Sequence, residues 1–394
     1  MTTDAIEELA RRYRFDEEIF VARPTMPPLD RFQASLEEIW RSRWLTNGGV
    51  FHQRLERAIG DYLGTPHVSI FCNGTIALLV ALQALRIASG EVITTPFTFP
   101  ATPHVLHWNG VVPVFGDIDP VTFNLDPTRI ESLITPRTVA ILPVHVFGNP
   151  CDVSAIEAIA ERYGLKVIYD AAHAFGVRKE GRSIAEWGDL TMLSFHATKL
   201  FTTVEGGALI SGSDKLKTRI DFLKNFGIAG PETVVGPGIN GKMNELQSAY
   251  GLLHLEMVAE EIRRRRELVA LYRERLAAVR GLTLQRDIPG VEHNHAYFPA
   301  LVDPAAFGMD RDELHAALAR FNVHARKYFF PLCSHLTTYR TLASASPDRL
   351  PVAEAVAKGI LCLPIYGTLG RDAVSRICDI LAELSRLGEK RGPR

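Results

Sequence analysis

Lys199 lies in the stretch Leu193-Ser-Phe-His-Ala-Thr-Lys199-Leu-Phe-Thr-Thr-Val-Glu-Gly-Gly207, between two apolar runs, Leu190 to Phe195 and Ala208 to Ser211. Its flanks, Leu200 and Phe201, are apolar. Desolvation disfavours a charged amine, lowers its pKa and makes it a nucleophile toward carbonyls. A lysine at a strand end also reaches the surface by snorkelling, and its local sequence fits both readings. Upstream, Lys166-Val-Ile-Tyr-Asp170 is a strand that ends on an acid. That places a carboxylate at the carboxyl edge of a sheet, where α/β sites form; an N-cap aspartate is the structural alternative. Between Asp170 and Lys199, Val177 to Ser183 has the composition of a hairpin.

Further upstream, Val68-Ser-Ile-Phe-Cys72 reads as a strand, Asn73-Gly-Thr75 as a turn, and Ile76 to Ile87 as a buried apolar helix. Strand, turn and helix start together expose unpaired backbone N–H groups, a natural phosphate site. Such turns also stand empty, and this one lacks a Walker lysine and the three glycines of a dinucleotide loop. Phe97 and Phe99 follow on a loop, either to stack on a flat ring or to plug the core. Taken together these residues describe a pocket for pyridoxal 5'-phosphate (PLP). The lysine bonds its aldehyde carbon, the acid keeps its ring nitrogen protonated, and the helix start holds its phosphate.

The elements that must position this set alternate strand and helix from Val68 to Tyr163. That pattern predicts an α/β fold with a mostly parallel sheet covered by helices on both faces. After Gly207 the pattern changes: a helix from Asp214 to Lys224, a Gly- and Pro-rich loop from Phe226 to Gly241, and a long helical stretch from Met243 to Arg280 with a break. Strands near Thr283 and from Ala296 to Val302 precede a helix from Asp310 to Phe321. The expected organisation is an N-terminal arm (1–30), a large domain (31–250) and a small α+β domain (251–394).

Composition narrows the function classes. With 44 basic and 45 acidic side chains, the formal charge is -1, so there is no electrostatic case for nucleic acid. The run Arg263 to Arg266 has acids interleaved and reads as the charged face of a helix. Five cysteines without framework spacing argue for a reducing compartment and against structural zinc. His293 and His295 alternate with no further ligand evident, so no metal is expected. No signal peptide and no span of about 20 apolar residues is present, and a cytoplasmic enzyme without a membrane partner is expected.

At these residues the sequence resembles the DegT/DnrJ/EryC1/StrS family of PLP-dependent nucleotide-sugar aminotransferases. The resemblance runs from Leu45-Thr-Asn-Gly to about Leu363-Pro364. It rests on Ser194-Phe-His-Ala-Thr-Lys199 with Glu205-Gly-Gly207, on Asp170-Ala-Ala-His-Ala, on Cys72-Asn-Gly-Thr75 and on Gly238-Ile-Asn240. It implies the aspartate aminotransferase-type (fold type I) architecture and a homodimer with shared active sites.

Carried over, it makes Lys199 the Schiff-base lysine and proton shuttle, Asp170 the partner of the ring nitrogen, and His173 a neighbour of the ring's hydroxyl edge; these three are the expected catalytic residues. Gly74, Thr75 and Ser194 contact the phosphate, Phe99 stacks on the ring, and Asn240 reaches the phosphate from the partner subunit. Where the family often has an aromatic residue and Arg after that Asn, this chain has Gly241 and Lys242. Lys keeps the charge and loses the bidentate geometry. Arg326, Lys327 and Tyr328 match a segment that lines the sugar-nucleotide site.

The implied reaction moves an amino group from glutamate, through the amine form of the cofactor (PMP), to C-4 of a dTDP-4-keto-6-deoxyhexose. His173 favours C-4, because the resemblance places Gln in this slot in members acting at C-3. Action at C-3 is the alternative. A sugar dehydratase is disfavoured because those carry His in place of Lys199, and a non-catalytic regulator because it needs neither Lys199 nor Asp170.

Overall fold

The computed structural model describes residues 3–389. Seven strands form the central sheet in the order Val68–Phe71, Gly207–Ser211, Leu190–Ser194, Lys166–Asp170, Thr138–Leu142, Glu91–Thr94, Val112–Phe115. Gly207–Ser211 runs antiparallel to both its neighbours, and every other pairing is parallel. Successive side chains point to opposite faces. Ile141, Leu193, Ala208 and Ile210 therefore join one hydrophobic core, while Ala140, Leu142, Met192 and Leu209 join the other. Both faces are covered, which is why these strands read as apolar runs rather than as alternations. Parallel pairing also brings the carboxyl ends of Lys166–Asp170 and Leu190–Ser194 to one edge of the sheet. The hairpin between them is present as Arg178–Lys179 and Arg182–Ser183.

Helix Gly74–Ala84 has apolar residues all round and lies buried between the sheet and its neighbouring helices. Asn73 caps it, its side chain accepting from the N–H of Ile76 at 2.8 Å. The long helical stretch is two helices, Glu245–Leu255 and Val258–Leu276, separated at Glu256 and Met257. The first opens with an Asn244/Gln247 capping box. Its Glu245 carboxylate accepts from the N–H groups of Phe51 and His52 at 2.8 and 2.9 Å, closing the start of helix Val50–Leu63.

A separate core gathers Leu268, Tyr272, Phe298, Leu314, Leu361 and Leu384. Helix Thr3–Tyr13 packs into it through Ala10. Its antiparallel sheet has three strands, Leu282–Leu284, Phe298–Val302 and Ile360–Leu363. The sequence reading has only the first two. Ile360–Leu363 is a four-residue apolar run, too short for its period to be read. The Gly- and Pro-rich segment also holds a small hairpin, Ile228–Gly230 with Thr233–Val234.

Most of the arginine run behaves as a charged helix face: Arg263 and Arg264 pair with Glu260. Arg265 differs. It is buried and pairs with buried Glu261 at 2.7 Å. Glu261 also accepts from Thr25 Oγ1 and the N–H of Gly367, and Arg265 donates to the carbonyl of Ala296. A buried pair satisfied in this way fastens the N-terminal arm and two loops to one helix, and removing either partner strands a charge. No helix among the described residues is long and apolar enough to cross a membrane.

Candidate active site

A cleft of about 330 Å³ opens at the carboxyl edge of the central sheet, a size suited to a small-molecule site. Gly74, Thr75, Phe99, Asp170, His173, Ser194, Lys199, Arg326 and Tyr328 all line it. Two expected residues do not. Lys327 turns away, its Nζ 2.5 Å from Asp312 Oδ1. Asn240 sits outside the cleft on an exposed loop, where its Oδ1 accepts from Lys242 Nζ at 2.9 Å.

The cleft floor is built from strand ends. Asp170 is 4 % exposed. Its Oδ2 accepts from Thr102 Oγ1 at 2.8 Å and its Oδ1 from the N–H of Ala172 at 3.1 Å. Thr102 is held in turn by Thr98, Oγ1 to Oγ1 2.9 Å. Burial raises the Asp170 pKa, opposed by the Ala172 and Thr102 hydrogen bonds and by Lys199. A carboxyl desolvated this far is poised for a cationic partner, which restores its charge.

Lys199 is partly buried, and burial lowers its pKa to about 8, against the pull of Asp170. About a tenth of the amine is then unprotonated at pH 7, several hundred times more than for an ordinary lysine, and the free base is what a carbonyl nucleophile requires. Its Nζ donates to Tyr297 Oη at 3.2 Å. Snorkelling to solvent, the alternative reading of this lysine, is not what the structure shows.

His173 is buried, and desolvation with help from Lys199 pushes its pKa well below the usual value, so the ring is neutral. The N–H of Phe147 donates to its Nδ1 at 3.1 Å, which leaves the proton on Nε2. Phe329 stacks parallel to it at 5.7 Å and Tyr297 leans on it at 4.7 Å.

The two loop phenylalanines part company. Phe97 is fully buried among Phe123, Phe147 and Phe329, whereas Phe99 is 60 % exposed at the cleft. The loop thus plugs the core with one ring and offers the other to the cleft.

These residues fit PLP. The first N–H groups of helix Gly74–Ala84 have no intrahelical acceptor, and Gly74 and Thr75 line the cleft, a cradle for a phosphate. A Cβ on Gly207 would come within 2.6 Å of Gly74 N, so the strand and the helix start meet only because no side chain intervenes there. Asp170 complements a pyridinium and Lys199 an aldehyde. Thr102, Tyr297 and Phe329 are members of the site that the sequence reading did not single out. Thr102 lies on the helix Ala101–Trp108 that follows the Phe97/Phe99 loop; Tyr297 and Phe329 have no local signal, because packing alone brings them in.

Comparison with known proteins identifies the family. The model of the DegT/DnrJ/EryC1/StrS aminotransferase family matches residues 29–382. A dTDP-4-amino-4,6-dideoxy-D-glucose transaminase of Escherichia coli is 48% identical over 371 residues, 93% of this chain and 98% of that one. A protein of the same name from Shigella dysenteriae is 45% identical, covering 94% of this chain and all of that one. Among solved structures, DesI in the presence of its TDP-sugar product superposes with a TM-score of 0.91 at 37% identity, over 96% of both chains.

Proposed function

This chain belongs to the DegT/DnrJ/EryC1/StrS aminotransferase family, and on that premise we propose that it aminates C-4 of dTDP-4-keto-6-deoxy-D-glucose with glutamate as donor. The product is then dTDP-4-amino-4,6-dideoxy-D-glucose, the sugar named for both bacterial relatives. The observation that carries the reading is the pairing of a depressed-pKa lysine, Lys199, with the buried carboxylate Asp170 in one cleft.

PLP, when bound, supplies the electron sink that makes the substrate's C–H bond acidic and stores the amino group between the two half-reactions. Asp170 stabilises positive charge at the ring nitrogen, and the Thr102 hydrogen bond keeps its carboxylate aimed. Lys199 holds the cofactor's reactive carbon, and when released it is the base and acid that moves the proton. His173 presents Nε2–H to the cleft from a ring fixed on its other side by Phe147. Gly74, Thr75 and Ser194 hold the phosphate, and Phe99 covers the ring. Arg326 and Tyr328 line the mouth, where the nucleotide part of the substrate enters.

The proposed active unit is a cytoplasmic homodimer. Asn240 lies outside its own cleft on a loop that also exposes Phe226, Ile228, Val234 and Val235. That arrangement supports its reaching a partner's phosphate site rather than its own.

The deciding assay supplies PLP, glutamate and, separately, the 4-keto and 3-keto forms of the dTDP-6-deoxyhexose, and assigns the aminated carbon by NMR. Nitrogen at C-4 is expected. Nitrogen at C-3, with the 4-keto sugar untouched, overturns the reading.

A further inference from the structure

The small-domain strand Phe298–Val302 begins next to a phenol that reaches the cleft. Tyr297 Oη accepts from Lys199 Nζ at 3.2 Å, and the amine lies 5.8 Å from the centre of the same ring. The ring packs edge-on against Tyr328 at 5.8 Å and leans on His173 at 4.7 Å. It cannot swing freely, because the residue before it, Ala296, is fastened at both its carbonyl and its N–H. Arg265 donates to the carbonyl of Ala296 at 3.2 Å. The N–H of Ala296 donates to Asn294 Oδ1 at 3.1 Å. Asn294, 1 % exposed, donates through Nδ2 to the carbonyls of His173 and Phe175 at 2.9 and 3.0 Å. The loop that carries His173 and the turn that delivers Tyr297 are thus locked to one another by a single buried amide.

We propose that Tyr297 is a positioning residue for Lys199: its phenol oxygen holds the lysine amine at the reacting face whenever that amine is free of the cofactor. A free lysine has four rotatable carbons and, without an acceptor, no preferred place; a misplacement of about 1 Å costs on the order of 10²-fold in rate. The phenol suits the task because burial raises its pKa, so it stays neutral and keeps a lone pair for the ammonium. The proton stays with Lys199: the ammonium N–H points at Tyr297 Oη until the proton is delivered, and the phenol neither gains nor loses one. The acids and bases that bear on the amine besides it are Asp170 and Tyr328, both of which raise its pKa, and the neutral His173.

The inference rests on Lys199 being the reactive amine, and its test reads that amine directly, whatever the sugar substrate is. The full chain is loaded with the amine form of the cofactor, in which Lys199 is free, and Lys199 is labelled competitively with acetic anhydride from pH 6 to 10, followed by mass spectrometry. For the native chain the midpoint is expected below the ordinary lysine value, because burial lowers it. Tyr297→Phe removes the acceptor that favours the charged amine, so the midpoint is expected to fall by about one unit. In parallel kcat falls on the order of 10- to 100-fold, while KM for both substrates stays within about two-fold. Thermal melting confirms that the variant is folded. A midpoint that stays put or rises, or a kcat unchanged by Y297F, overturns the proposal. A fall in kcat together with melting temperature, at an unmoved midpoint, overturns it as well by showing a structural role alone. Absence of any labelled Lys199 in the native chain instead counts against the reading of Lys199 itself.

Discussion

The cleft has two walls of different origin. One belongs to the seven-stranded sheet: the start of helix Gly74–Ala84, Asp170 and Ser194 at strand ends, and Lys199 just beyond. The other comes from the C-terminal part of the chain: Tyr297, Arg326, Tyr328 and Phe329. The sheet wall carries groups whose chemistry is fixed by topology, since parallel strands deliver their last residues to one edge. The second wall carries rings and a guanidinium delivered by packing between cores. The proposed chemistry falls to the first wall, and the proposed positioning of Lys199 and choice of substrate to the second. Substitutions should divide accordingly: losses in kcat on the sheet side and at Tyr297, whose phenol holds Lys199, and losses in KM at Arg326.

The largest effect is expected from Lys199→Ala. Both the bond to the cofactor's carbon and the proton transfer need this amine, so turnover should fall by about 10⁴-fold or more in multiple-turnover assays. Borohydride reduction of the native loaded enzyme, followed by peptide mapping, should place the cofactor on Lys199. Labelling of a different lysine would move the chemistry off the sheet wall.

Asp170→Asn comes next. The amide keeps the shape and the Thr102 contact but cannot stabilise a pyridinium, so a loss of about 10²- to 10⁴-fold in kcat is expected with the fold intact. Thr102→Val probes the same carboxyl more gently. Thr102 donates to Asp170 and opposes the rise that burial imposes on its pKa. Removing that bond leaves burial less opposed, so the Asp170 pKa rises further and the acid limb of the kcat–pH profile moves to higher pH. An acid limb that stays put or moves to lower pH would show that Thr102 does not tune Asp170.

The same two walls explain what the sequence disclosed. Lys166-Val-Ile-Tyr-Asp170 and the run before Lys199 are legible because strand and turn signals are local, and a strand-end acid or a flanked lysine has a reading without knowledge of the fold. Asn73-Gly-Thr75 is legible for the same reason. Phe97 and Phe99, two residues apart on one loop, were not separable: which ring enters the core is decided by Phe123, Phe147 and Phe329, distant in sequence. Tyr297 enters the cleft from a turn that Asn294 and Arg265 hold through Ala296, and neither contact leaves a local trace. Ile360–Leu363 and helix Arg371–Glu389 went unread, the first for its shortness and the second although its apolar face packs on the core around Leu268, Tyr272 and Phe298. Lys327 is the instructive divergence. Chain neighbours on an extended segment point to opposite sides, so a motif spanning Arg326 to Tyr328 holds two cleft residues and one that faces helix Arg311–Arg320.

That divergence sets up the smallest and most discriminating test. Arg326 is exposed, lines the cleft and pairs its backbone with Cys362, which fixes the direction of its side chain. A guanidinium there matches the diphosphate of a nucleotide sugar, and a charge-assisted hydrogen bond is worth roughly 1.5–3 kcal/mol. Arg326→Gln should therefore raise KM for the sugar nucleotide by about 10- to 100-fold with kcat little changed. Lys327 is spoken for by Asp312, in a pair whose side chains are 28% and 58% exposed. Asp312 also retains Arg311 at 2.6 Å if Lys327 is lost. Lys327→Ala should then leave KM within about two-fold and cost at most about 1 kcal/mol of stability, as exposed pairs do. Steady-state kinetics and denaturant unfolding on the two variants side by side decide the matter. A KM effect at Lys327 equal to that at Arg326 would mean that the segment rearranges to bring both charges to the substrate, and the assignment of this wall by side-chain direction would fail.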